Sequence, residues 1–405
     1  MSNKGNNRQN IEIKPDIETF AKIKVIGIGG SGGAAIDRMI SDKIRGVEFV
    51  AINTDAQALH HSKAPSKIHI GRTTTRGLGA GMDPELGRKA VEENQDELHD
   101  MLKASDMVFI TCGLGGGTGT GASPLIADIA KDVGALTVAV ITRPFAFEGA
   151  QRKAIADSGL GELTDKVDTS IVIPNDRILQ IIDKKTSLLE AFSTVDEVLR
   201  QGVQGISDLI TVPGLINVDF ADVKSIMENA GSALMGIGQG SGENRAVDAA
   251  KAAIDSPLLE LSIEGAKGIL FTITGGPDLG MYEVNEAARI ITSSADPNAR
   301  VIFGSVIEES MKDQVKITVI ATGFGGKQKT VKKVRPMEFG TREEDISVKQ
   351  TPFFSTNRVR SSAPERPQKA TLAPTVKTSS AAKTDEKTKE EEDLEIPAFI
   401  RKKMM

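Results

Sequence analysis

Twice in its N-terminal third, this chain runs a short β-branched segment into a cluster of glycines and on into a helical stripe. Lys24-Val25-Ile26-Gly27-Ile28-Gly29 leads through Gly30-Ser31-Gly32-Gly33 to a helix expected over residues 34–44, with Ile36, Met39, Ile40 and Ile44 on one face. A strand expected over residues 107–112 leads through Gly113-Leu114-Gly115-Gly116-Gly117-Thr118-Gly119-Thr120-Gly121 to a helix expected over residues 124–133. Further strands are expected at 48–53, 136–142 and 169–174. Helices are expected at 84–104, where Pro84 suits a first turn, and at 152–166. Such alternation with short connections implies a Rossmann-like α/β unit, a mostly parallel sheet covered on both faces.

Glycine between a strand and a helix lets the backbone approach an anion and turn its N–H groups inward. The helix N-terminus adds partial positive charge there. Gly27, Gly29 and Gly32 also satisfy G-x-G-x-x-G, and Asp55 follows about 20 residues on, as a dinucleotide fold requires. That loop alone fits a dinucleotide, a nucleoside phosphate or a ligand-free turn. The second loop narrows the choice, because two anion cradles at the carboxyl edge of one sheet would grip a single polyphosphate from both sides. Neither loop contains the G-K-[ST] of a P-loop, so backbone dipoles and a metal ion, rather than a buried lysine, would neutralise its charge.

Composition removes other classes. The net charge is −5, so no global field draws the chain to nucleic acid. A lone cysteine, Cys112, forms no internal disulfide and points to a reducing compartment; it reads as a small buried hydrophobe. The four histidines lack a zinc-type partner set, so no protein metal site is expected. No run approaches the roughly 18 apolar residues of a membrane span, and the first ten residues carry no export signal. A cytoplasmic protein is expected, without nucleic-acid binding or membrane insertion.

Residues 1–20 read as a flexible arm. A long amphipathic helix is expected from 187 to about 212, with Leu188, Leu189, Phe192, Val195, Leu199, Val203 and Ile206 on its apolar side and Pro213-Gly214 ending it. Strands at 233–237, 268–274, 300–306 and 315–321, with helices at 245–255 and 282–292, then imply a smaller α/β domain joined through that helix. Between 361 and 393 only Leu372 and Val376 are large aliphatics, too few to offset ordering entropy, so residues 326–393 read as a disordered linker. As a coil it would reach roughly 40–50 Å. Apolar residues return in Leu394-Glu395-Ile396-Pro397-Ala398-Phe399-Ile400-Arg401, the composition of a docking peptide over 394–405.

Gly115-Gly116-Gly117-Thr118-Gly119-Thr120-Gly121 matches the motif of the tubulin/FtsZ family. Asn53-Thr54-Asp55-Ala56-Gln57-Ala58-Leu59, Gly77-Leu78-Gly79-Ala80-Gly81 and Asn217-Val218-Asp219-Phe220-Ala221-Asp222-Val223 resemble that family's bacterial division-ring branch. The similarity runs from about Ile23 to Gly323. The resemblance implies the tubulin/FtsZ fold, with a GTP-binding domain over 21–186, a central helix and catalytic-loop start over 187–218, and a C-terminal domain over 219–325.

By the same resemblance, Gly29, Gly30, Ser31, Gly32, Gly33 and Ala34 line the phosphates of GTP or GDP with its Mg2+, and Gly115, Gly116, Gly117, Thr118 and Gly119 grip the distal ones. Glu148 and Arg152 match positions at the ribose and phosphates, and Asn175 and Asp196 match those reading guanine. A carboxylate suits guanine because it accepts from N1–H and the exocyclic amine together. Ala34 departs from the family's usual Asn, Ser31 from a common glycine, and Cys112 from a small apolar residue. Asp219 and Asp222 are three apart at a helix start, where spacing alone fits an N-cap. The resemblance instead makes them, with Asn217, catalytic in the next subunit's site, so that hydrolysis and head-to-tail polymerisation coincide. It further implies a division ring at midcell, with membrane-tethering and regulatory proteins bound through Ile396, Pro397, Phe399, Ile400 and Arg401. A Rossmann-type NAD(P)-dependent oxidoreductase and a non-hydrolysing GTP-dependent assembly protein are the alternatives.

Overall fold

The computed structural model describes residues 21–324, apart from 184, 213, 217, 260 and 261. The N-terminal arm, the linker, the docking peptide and Asn217 therefore lie outside the described residues.

The chain opens with β1 (Ile23–Ile28), α1 (Gly29–Ser41), β2 (Val47–Asn53), α2 (Ala56–His61), β3 (Ser66–His69) and α3 (Arg72–Thr75). It continues with α4 (Pro84–Glu92), α5 (Gln95–Leu102), β4 (Met107–Gly113), α6 (Thr118–Asp132), β5 (Leu136–Arg143), α7 (Ala150–Thr164), β6 (Thr169–Pro174) and α8 (Asn175–Ile178). The long α9 (Leu188–Thr211) then leads to α10 (Phe220–Met227), β7 (Gly231–Ser241), α11 (Arg245–Ile254), β8 (Gly268–Gly275), α12 (Met281–Ser293), β9 (Arg300–Ile307) and β10 (Gln314–Thr322).

These strands join one ten-stranded sheet in the order β3-β2-β1-β4-β5-β6-β7-β10-β8-β9. The first six are parallel, and β7 extends them in parallel through the register Thr169↔Gly231 to Ile171↔Ala233. Beyond that short seam β10 lies antiparallel between β7 and β8, and β9 runs parallel to β8.

Side chains that alternate along a strand reach opposite faces. Accordingly Val25, Phe109, Val138 and Val140 enter one core, while Ile26, Ile110, Ala139 and Ile141 enter the other. The first core also takes Val203, Ile206 and Leu209 of α9 together with Met235, Leu270 and Ile320, so α9 shares its buried face with strands from both halves of the sheet. A Cβ at Gly205 would sit 2.9 Å from Thr318 Cγ2, and the Thr272 hydroxyl donates to the Gly205 carbonyl at 2.9 Å. Ser187 starts α9 through a reciprocal cap: its Oγ accepts from Glu190 N at 3.2 Å, and Glu190 Oε2 accepts from Ser187 N at 2.8 Å.

Several expectations shift. Helix α1 begins at Gly29, not residue 34, and α6 at Thr118, not 124, so Gly29–Gly33 form the first turn of α1, while Gly119 and Gly121 lie in the start of α6 and Gly115–Gly117 precede it. Tertiary packing overrides the low helix propensity of glycine there. Pro124 consequently sits inside α6, without an N–H for the Thr120 carbonyl. The helix expected over 84–104 is two helices, broken at Glu93 and Asn94, where Glu93 accepts from Thr73 N and Thr74 N and Asn94 from Gly71 N. Leu188 and Leu189, expected on the apolar side of α9, project into solvent. Among the described residues no helix is long and apolar enough to cross a membrane.

Candidate functional site

A cleft of about 410 Å³ opens at the carboxyl edge of the parallel strands, where α1 and α6 leave β1 and β4. Neither helix has a side-chain N-cap or an acidic residue in its first turn. Their leading N–H groups and positive dipole ends are thus free for an anion.

Glycine fixes how closely the two starts approach. Gly29 has φ +73°, and a Cβ there would lie 3.1 Å from Gly119 N. At Gly32 a Cβ would lie 2.4 Å from the Thr111 carbonyl, so only glycine seats α1 against β4. Gly30 and Gly116 differ, because a Cβ at either would meet nothing within 4 Å, leaving bare backbone beside open space. Hydroxyls brace the second loop. Thr120 Oγ1 accepts from Gly115 N at 2.9 Å, Thr118 Oγ1 bonds Thr54 Oγ1 at 2.8 Å, and Gly117 N donates to the Gly81 carbonyl at 2.9 Å.

The remaining wall comes from β5, α7, α8 and α9. Glu148 pairs with Arg152 and accepts from Phe145 N at 2.9 Å, which fixes the turn before α7. Asn175 is buried on the cleft, and its Oδ1 has no hydrogen-bond partner among the described residues. A buried acceptor left open on a cleft wall fits a ligand that brings a donor. Asp196 is half-buried on α9; burial pushes its carboxyl up to about 6, against the pull of the Arg38 guanidinium. Phe192, one turn earlier, lies at the rim edge-on to Phe145, with ring centres 5.6 Å apart.

Of the expected binding residues, the cleft brings together Gly29, Gly30, Ser31, Gly116, Gly117, Thr118, Gly119, Glu148, Arg152, Asn175 and Asp196. Gly33 and Ala34 face instead an adjoining cavity of about 200 Å³ behind α1. Gly32 and Gly115 line neither: Gly32 packs on β4, and Gly115, at φ +100°, would place a Cβ 3.0 Å from the Arg152 carbonyl.

Sequence reasoning did not assign Asn53, Gly79, Gly81, Thr142 or Phe192 to the cleft, which they also line. The Asn53-Thr54-Asp55 and Gly77–Gly81 runs were the available signal. Asp55 reaches the cleft too, but its Oδ1 caps α2, accepting from Gln57 N at 2.8 Å and Ala58 N at 3.1 Å. Cys112 is fully buried beneath the loops, and burial pushes its thiol up to about 11, so it is no nucleophile.

Asp219 and Asp222 lie elsewhere. From Asp196 to Thr211, α9 alone spans about 22 Å at ~1.5 Å per residue, and the chain continues before reaching Asp219. The segment after α9 is pinned to β9, where Leu215 N donates to the Ser305 carbonyl at 3.1 Å and Ser305 N to the Ile216 carbonyl at 3.2 Å. Both acids are exposed at the start of α10, and the Asp219 side chain makes no capping bond.

Comparison with known proteins agrees with this layout. The Tubulin/FtsZ family GTPase domain matches residues 22–183, and the FtsZ family C-terminal domain matches residues 231–325. A structure of the FtsZ dimer from M. jannaschii superposes with a TM-score of 0.72 at 48% identity, covering 75% of this chain and 88% of that one. A tryptophan-to-tyrosine mutant of the same M. jannaschii protein gives 0.73 at 48% identity over 76% and 92%. CetZ2 from Haloferax volcanii, a GTPγS-bound protofilament, shares the fold at 23% identity and a TM-score of 0.63, over 74% and 92%.

Two uncapped glycine-rich helix starts facing one cleft, within a matched GTPase domain, define a tubulin-type GTPase. The chain belongs to the tubulin/FtsZ family, and its residues 231–325 match the FtsZ family C-terminal domain.

Proposed function

We propose that this GTPase polymerises head to tail and completes its active centre only at the contact between subunits. Gly29, Gly30, Ser31 and Gly116–Gly119 hold the GTP phosphates, with Glu148 and Arg152 beside the ribose. Asn175 and Asp196 read guanine. The neighbour supplies Asp219 and Asp222, with Asn217, to position the attacking water, since phosphoryl transfer depends mainly on positioning and electrostatics. Gly32, Gly33, Ala34 and Gly115 act by shaping the loops. Magnesium enters with the nucleotide. The described residues hold no group of three or more His, Cys, Asp or Glu suited to a metal, so phosphate oxygens and water would be its ligands.

The observation that carries this reading is that neither acid lines the cleft, and that the segment leading to them bonds to β9, at the opposite end of the sheet order from β1 and β4. That placement supports delivery of the acids to the site of a neighbouring subunit. Exposed apolar residues occur around the cleft, at Leu78, Phe147 and Leu189 (81% exposed), and in the part of the chain that follows α9, at Leu215, Met281 and Tyr282 (88%). Surfaces of different composition on one molecule suit a heterologous contact, which propagates as a filament when its rotation does not close. The dimeric and protofilament states of the M. jannaschii and Haloferax relatives support the same assembly. The filaments then form the cytoplasmic midcell ring, and the 394–405 peptide on its linker engages membrane-tethering and regulatory proteins through Ile396, Pro397, Phe399, Ile400 and Arg401.

Phosphate release and light scattering over a protein concentration series test this. Specific activity should rise with concentration and level off once polymer dominates; a constant specific activity down to fully monomeric protein would overturn it. The oxidoreductase alternative finds no support, since Asp55 is engaged as a helix cap and the matched domain is a GTPase domain.

A further inference from the structure

The hydrogen-bonded ladder between β1 and β4 ends at Gly27↔Thr111, because β1 departs into α1 two residues later. Gly113, the last residue of β4, thus has no strand on its β1 side. On the other side Leu114 N donates to the Thr142 carbonyl at 2.9 Å, so the loop is tied to β5 from its first residue. The Gly113 N–H is nevertheless taken: it donates to Ser31 Oγ at 2.8 Å, joining residues 82 apart in sequence. The fit is reciprocal, since a Cβ on Gly113 would lie 2.4 Å from that oxygen.

We infer that Ser31 is a positioning residue that staples the two phosphate-facing helix starts together before nucleotide arrives. A serine hydroxyl carries one donor and two acceptor lone pairs. With one lone pair engaged by Gly113, its own proton stays available, and Ser31 lines the cleft where phosphate oxygens would sit. The staple acts beside the close approach of Gly29 to Gly119, where an added Cβ on Gly29 would lie 3.1 Å from the Gly119 nitrogen, so the loops are packed there and bonded at Ser31 without a ligand. Preorganisation of this kind lowers the cost of binding rather than the barrier to chemistry. The inference rests on the cleft being the GTP site and deepens that reading.

Ser31→Ala and Ser31→Gly both remove the hydroxyl, and Ser31→Thr restores it. For the first two, GTP and GDP dissociation constants and the KM of hydrolysis should rise about fivefold, the size expected for losing one neutral hydrogen bond. KM should rise by a larger factor than kcat falls, and Ser31→Thr should recover the affinity. In nucleotide-free protein the Gly113 amide should lose hydrogen-exchange protection in the Ala and Gly variants and regain it with Thr. Unchanged affinity in Ser31→Ala and Ser31→Gly, or unchanged Gly113 exchange, would overturn the staple while leaving the GTP site intact. Failure of the unsubstituted protein to bind GTP would overturn the site itself.

Discussion

The guanidinium of Arg38 on α1 acts across the helix interface on the carboxyl of Asp196 on α9, opposing the burial that pushes this acid up to about 6. Arg38 is held there by Ser193, whose Oγ accepts from its Nη1 at 2.7 Å, and by a 3.8 Å ion pair with Glu197. The proposed reading of guanine needs Asp196 ionised, because only the carboxylate accepts from both N1–H and the amine.

GTP affinity should therefore be flat above about pH 7 and fall as the pH drops through the Asp196 titration. At pH 5, one unit below a value of about 6, the loss should be about tenfold. The sign follows from the raised value: below it the free protein holds a proton that guanine binding must displace. Arg38→Ala removes the opposing charge, so the fall should begin at higher pH. Calorimetric titrations between pH 5 and 8 give both curves, and a flat profile would exclude Asp196 as the base-reading acid.

Ile206 is fully buried on the face of α9 that meets strands of both halves of the sheet. Truncation to Ala deletes buried carbons and leaves a cavity, at a cost of about 2–5 kcal/mol. Because that core is shared, the described domain should unfold in one transition moved as a whole to lower urea. Two separated transitions in Ile206→Ala would show that the halves unfold independently.

Deleting residues 394–405 should leave polymerisation and GTP turnover unchanged while abolishing capture of membrane-tethering division proteins. Leu394, Ile396, Phe399 and Ile400 are clustered after a run poor in large aliphatics, which is what a tethered docking motif needs. Pull-downs with the full chain and the truncation decide it; equal capture by both would remove the peptide from that role.

Much of this was legible in the sequence because its signals are local. The β-branched runs gave the strands, and the glycine clusters marked where an anion could approach. The periodic stretch from 187 to about 212, stopped by Pro213-Gly214, gave the long helix. What stayed hidden depends on distant partners. That Gly29–Gly33 are helical follows from Gly32 seating against the Thr111 carbonyl, which no propensity reveals. Ser31 looked like a simple substitution until β4 brought Gly113 to it. Asp196 was ambiguous for the same reason, since spacing along α9 could not show that it faces a cleft rather than water.

Separation of the cleft from Asp219 and Asp222 makes a complementation test available. Asp222→Ala keeps the whole cleft and loses an acid proposed as catalytic, so it should bind GTP, assemble, and hydrolyse at least about 100-fold more slowly, as for a lost transition-state contact. Its filaments should outlast those of the unsubstituted protein. Asp196→Ala keeps both acids but lacks the carboxylate proposed to read guanine, so alone it should neither bind GTP tightly nor turn it over. Mixed filaments contain junctions where the intact cleft of one variant meets the intact acids of the other. Those junctions should hydrolyse GTP, and activity should peak near an equimolar mixture. A mixture no more active than its two components, or an Asp222→Ala protein with normal turnover, would show that the acids do not act across the subunit contact.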